Sequence, residues 1–91
     1  MKKDILRTIG ENMDGFSKGQ RQIARYLLEH YDKAVYMTAA RLGHEVSVSE
    51  STVVRFVIEL GYAGYPEFQK ALQELIRTRL TSFQRMEVTN H

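Results

Sequence analysis

Residues 38–60 read Thr38-Ala39-Ala40-Arg41-Leu42-Gly43-His44-Glu45-Val46-Ser47-Val48-Ser49-Glu50-Ser51-Thr52-Val53-Val54-Arg55-Phe56-Val57-Ile58-Glu59-Leu60. Leu42 and Val46, then Val53, Phe56, Val57 and Leu60, recur at three- and four-residue steps, the spacing of two amphipathic helices. Ser47 and Val48 leave room only for a tight turn. Thr38 and Ser49 each offer a hydroxyl cap where a helix should begin. Two short helices joined this closely make a helix-turn-helix, an arrangement that places its second helix in the DNA major groove.

The sequence on either side supports an all-α domain. Ile5, Ile9 and Met13 fall four apart, predicting a first helix over residues 3–13, broken by Asp14-Gly15. That apolar face suits either the core or a partner in a dimer. Ser17 and Gln20 have capping-box spacing. They open a second helix to about His30, with Ile23, Ala24, Leu27, Leu28 and Tyr31 as its buried stripe. Residues 31–34 read as a connection, and Val35 re-enters the core. Gly61 ends the helix begun at Ser49. Pro66 sits in the first turn of a last helix, where its missing N–H costs nothing. Phe68, Leu72, Leu75 and Ile76 form that helix's inward face. The expected fold is a compact five-helix domain, with a homeodomain-like three-helix core plus flanking helices. Residues 1–80 form the domain; residues 81–91, rich in polar side chains, are expected to fray or run on as a linker.

Composition narrows the function classes. The 91 residues contain no cysteine, which removes disulfides and thiolate metal ligands. The chain lacks a run of roughly 20 apolar residues, so no membrane span is expected. Asp4, Arg7 and Glu11 interrupt what would be the apolar part of a signal peptide, and the expected location is cytoplasmic. The formal net charge is +2, a mild bias compatible with nucleic acid. Residues 38–60 run the other way, with Arg41 and Arg55 against Glu45, Glu50 and Glu59. Phosphate attraction must therefore come partly from outside the motif, and a homodimer would double it.

Removing the buried positions of the second motif helix leaves Ser49, Glu50, Ser51, Thr52, Val54, Arg55, Ile58 and Glu59 for solvent or ligand. The hydroxyls and the unpaired N–H groups of the first turn suit phosphates or base edges. Arg55 has the fork geometry to grip a guanine edge or a phosphate. Val54 suits a thymine methyl; Glu50 either accepts from a cytosine amine or repels phosphates that approach wrongly. The plainer readings stand beside these. Ser49 is a helix cap with or without DNA, and Arg55 has Glu59 four residues on as a surface partner. Val54 and Ile58 suit a partner helix, so the alternative function is a helical protein-protein interaction or dimerisation module. Gly43 occupies the close approach of the two helices, where alanine would favour the helix by about 1 kcal/mol.

Other chemistry finds little support. His30, His44 and His91 lack metal-ligand spacing. No strand precedes Gly61 or Gly64 to make a phosphate-binding loop. No catalytic pair stands out, and neither an enzyme nor a cofactor is expected.

The run Val48-Ser49-Glu50-Ser51-Thr52-Val53-Val54-Arg55-Phe56, followed by Leu60-Gly61-Tyr62, Gly64-Tyr65 and Pro66-Glu67-Phe68-Gln69-Lys70-Ala71-Leu72, resembles the RpiR family of bacterial transcriptional regulators. Gln22-Ile23-Ala24 and Tyr26-Leu27-Leu28 look like the same family's opening, so the resemblance covers about residues 1–80. It implies a domain that binds double-stranded DNA and controls carbohydrate genes. It also implies a C-terminal sugar isomerase-like domain, absent here, that senses a phosphosugar effector. Carried over to this chain, Ser49, Ser51, Thr52 and Arg55 match the recognition helix, and Tyr62, Gly64 and Tyr65 the segment behind it. Thr38, Glu50 and Val54 complete the candidate DNA-binding set. Gly43 departs from a usual alanine, and Ser47 from a frequent glycine.

Overall fold

The computed structural model describes residues 5–89, with side chains described up to Thr78. Five α-helices follow one another: α1 (Ile5–Glu11), α2 (Lys18–Ala34), α3 (Ala39–Val46), α4 (Glu50–Glu59) and α5 (Tyr65–Thr89), with a 3-10 turn at Met13–Gly15 between the first two. No strand occurs among the described residues.

The helices share one core. Ile9, Ile23, Leu27, Leu42, Val53, Phe56 and Phe68 are fully buried and come from all five helices. Each such side chain contributes about 1.5–3 kcal/mol by leaving water. Ile5 and Ile9 lie in this core, so the apolar face of α1 is covered by the chain's own helices and is not open to a partner. α3 packs on α4, and α2 touches α1, α3 and α4.

Local capping follows the sequence. Ser17 Oγ accepts from the Gln20 N–H at 3.3 Å, and Gln20 Oε1 accepts from the Ser17 N–H at 2.9 Å. Gly61 has φ +108°, the left-handed turn that ends α4.

Three expectations need correction. α1 stops at Glu11, and Met13 belongs to the separate 3-10 turn; Lys3 and Asp4 lie outside the described residues. α2 does not end at His30. Its backbone leaves helical geometry there (φ −135°, ψ 39°) and then resumes through Ala34. This kink replaces the expected connection and brings Ala34 and Val35 into the core. Leu28 is exposed, because one residue turns a helix by about 100°, enough to carry Leu28 out of the stripe that holds Leu27. Beyond these, the backbone of residues 81–89, the stretch expected to fray or run on as a linker, is helical and continues α5; residues 90 and 91 lie outside the described part.

The start of α5 ties down the 35–37 turn. Tyr65 donates its hydroxyl to the Met37 carbonyl at 2.7 Å, and Gln69 Nε2 donates to the Val35 carbonyl at 2.8 Å. These bonds satisfy carbonyls of the turn that follows α2 and tie α5 to the segment leading into α3. Among the described residues, no helix is long and apolar enough to cross a membrane.

Candidate nucleic-acid interface

The geometry of the α3–α4 turn sets which face of α4 looks outward. Thr38 caps α3, its Oγ1 accepting from the Arg41 N–H at 3.1 Å. At the other end Ser47 adopts the left-handed conformation (φ 62°, ψ 41°). The Ser47 N–H donates to the His44 carbonyl at 3.3 Å, and the Val48 N–H to the Gly43 carbonyl at 2.8 Å. This pair of bonds is a Schellman closure, which reverses the chain within two residues. A β-carbon on Gly43 would stand 2.7 Å from the Val48 carbonyl oxygen. Glycine is therefore what lets the turn fold back onto α3.

Ser49 then caps α4. Its Oγ accepts from the Thr52 N–H at 3.2 Å and lies 2.7 Å from Thr52 Oγ1 and 3.1 Å from Ser51 Oγ. The structure thus gathers Ser49, Ser51 and Thr52 into one hydroxyl cluster at the positive end of the α4 dipole, a setting that favours an approaching anion. Glu50 and Ser51 are exposed, and Thr52 is half-buried. The Ser49 hydroxyl serves as a cap, and its three contacts orient its neighbours.

Arg55 lies one turn further along α4 and is exposed. It does not pair with Glu59. The Glu59 carboxylate accepts instead from Gln20 Nε2, which ties the end of α4 to the start of α2. Among the described residues, Arg55 forms no ion pair. Three and four residues beyond Thr52 and Ser51, it shares their face of α4.

Two candidates sit differently. Val54 is half-buried and packs against the core, so only part of its surface faces outward. That leaves Ile58, 50% exposed, as the main apolar side chain on the outer face of α4 and weakens the case for a paired apolar docking strip. Thr38 stands at the far end of α3, about 12 Å along that helix from the turn leading into α4. It is exposed but is not part of the hydroxyl cluster.

Sequence reasoning named no residue of α2 for this face, yet the two helices begin side by side. A β-carbon on Gly19 would lie 3.6 Å from Val48 Cγ1 and 3.7 Å from Thr52 Cγ2. The available signal was the absence of any acidic residue from 15 to 28, alongside Lys18, Arg21 and Arg25. Among the described residues, no group of three or more His, Asp or Glu side chains is placed to hold a metal ion.

A profile described as the helix-turn-helix domain of the rpiR family matches residues 3–79. The chain is 34% identical over 74 residues to the uncharacterized HTH-type transcriptional regulator YfhH of Escherichia coli, covering 81% of this chain and 26% of that protein. It is 33% identical over 72 residues to the HTH-type transcriptional regulator HexR of Pseudomonas aeruginosa, covering 79% and 25% respectively. The chain thus spans about a quarter of the length of these curated relatives. Among solved structures, that of the Vibrio vulnificus NanR protein complexed with ManNAc-6P superposes with a TM-score of 0.79 at 30% identity, covering 96% of this chain and 33% of that one.

Proposed function

The chain belongs to the rpiR family of helix-turn-helix domains, and on that premise we propose that it is the DNA-reading part of a bacterial transcriptional regulator. The observation that carries this reading is the outer face of α4. A hydroxyl cluster occupies the positive end of the helix, and an arginine without an ion-pair partner among the described residues lies one turn along. Such a face fits the major groove, with Ser51 and Thr52 on phosphates or base edges and Arg55 on a guanine edge. Thr38 and the first turn of α3 that it caps would meet the backbone, and Glu50 would select against wrongly placed phosphates.

The names of the matched relatives denote transcriptional regulators rather than enzymes, and the chemistry assigned here is recognition, not catalysis. The relatives' greater length supports a second domain in the whole protein, reached through α5. The solved neighbour's ManNAc-6P complex supports a phosphosugar as the effector of that domain and a role in carbohydrate metabolism. A DNA-reading role supports a cytoplasmic location. A homodimer would bring two α4 helices to successive major grooves, one helical turn apart.

The test is selection of bound sites from a pool of random duplexes. The reading expects enrichment of one short motif, in paired half-sites if the protein acts as a dimer. A pool that stays random after several rounds contradicts it.

A further inference from the structure

The α4 face has too little positive charge to hold DNA by itself. Residues 38–60 carry two arginines and three glutamates, yet duplex affinity rests largely on neutralised phosphates. The missing charge lies on α2. Residues 15–28 hold Lys18, Arg21 and Arg25 and no acidic side chain. Phe16, Lys18, Arg21, Gln22 and Arg25 line one surface groove, and all four polar members are exposed. Lys18 and Arg25 are seven residues apart, two turns along one face and about 10 Å along the axis. Neither is in an ion pair among the described residues. Arg21 differs: its guanidinium donates to the Met13 and Asp14 carbonyls at 3.4 Å and steadies the 3-10 turn.

Position matters as much as charge. Gly19 rests against Val48 and Thr52, so the first turn of α2 and the first turn of α4 share one end of the domain. A duplex that receives α4 would pass in front of this end of α2.

We propose that the amino-terminal half of α2 is a phosphate-binding surface, with Lys18 and Arg25 as charge contacts and Gln22 between them as a hydrogen-bond donor to the sugar-phosphate backbone beside the groove that α4 enters. The inference rests on the DNA-reading assignment above and adds the electrostatic part that α4 lacks. It separates two roles: α4 reads sequence, and α2 supplies sequence-independent grip.

The test is titration of the 91-residue chain with a selected operator and with a random duplex of equal length, each at several salt concentrations. Circular dichroism and thermal melting serve as fold controls. In the Lys18→Ala, Arg25→Ala double variant, the slope of log affinity against log salt falls by about 2 on both duplexes. Affinity for operator and random DNA drops by the same factor. The charge-preserving double variant Lys18→Arg, Arg25→Lys keeps the slope. A neutral double variant that stays folded and retains the wild-type slope, or loses affinity for the operator alone, overturns the α2 assignment and leaves the α4 reading standing. A wild-type chain with no salt-dependent binding to either duplex overturns both.

Discussion

A β-carbon on Gly43 would stand 2.7 Å from the carbonyl oxygen of Val48, a backbone atom held by the turn itself. The contact explains a residue that helix propensity alone disfavours. Alanine would make α3 a better isolated helix by about 1 kcal/mol, but it would push the Val48 carbonyl away and open the angle between α3 and α4. Overpacking of this kind costs about 1–3 kcal/mol. Gly43→Ala is therefore expected to lower stability by about 1 kcal/mol net, read as a lower urea midpoint at unchanged slope. A higher midpoint would mean that the turn yields freely.

Ser47 has the opposite character. It is the one non-glycine residue with positive φ among the described residues, and left-handed backbone is costly for a residue with a β-carbon. Ser47→Gly is expected to raise stability by about 0.5–1 kcal/mol without altering DNA affinity. Equal or lower stability in urea unfolding would show that the serine side chain compensates for its backbone.

The clamp of α5 on the 35–37 turn should appear in the pH dependence. Burial pushes the Tyr65 hydroxyl up to about 12, and burial followed by Glu67 raises Tyr62. An unfolded tyrosine releases its proton near 10. Below that pH both states keep the proton, and the contribution is fully present. Between about 10 and 12 the unfolded chain ionises first, so stability falls as pH rises. Tyr65→Phe should lower stability at neutral pH by about 1 kcal/mol, through loss of the Met37 bond, and should flatten the decline above pH 10. Identical slopes for the two proteins across that window would remove Tyr65 from the account.

The local signals were legible in the sequence because each is complete within a few residues. Ser17 with Gln20, Thr38, Ser49 and Gly61 mark helix ends through contacts no more than four positions away. Most of the core followed from helical periodicity. The kink at His30 was not legible, since no proline or glycine announces it and only the packing of Ala34 and Val35 makes use of it. The Gln20–Glu59, Tyr65–Met37 and Gln69–Val35 contacts join residues 28–39 positions apart, and periodicity does not pair side chains over that distance. At the candidate site, the hydroxyl cluster followed from the sequence. That Glu59 bonds Gln20 rather than Arg55 was not legible, because Gln20 and Glu59 stand 39 positions apart.

The role proposed for Arg55, which is in no ion pair among the described residues, is contact with DNA. The most direct measurement is the affinity of Arg55→Ala for a selected operator and for random duplex at one salt concentration, with fold checked by circular dichroism and urea unfolding. Loss of such an exposed arginine should leave stability within about 0.5 kcal/mol of wild type. Operator affinity should fall by about 1–3 kcal/mol, with a smaller loss on random duplex and relaxed preference at one base position. Operator affinity and preference unchanged in a folded variant would contradict the account.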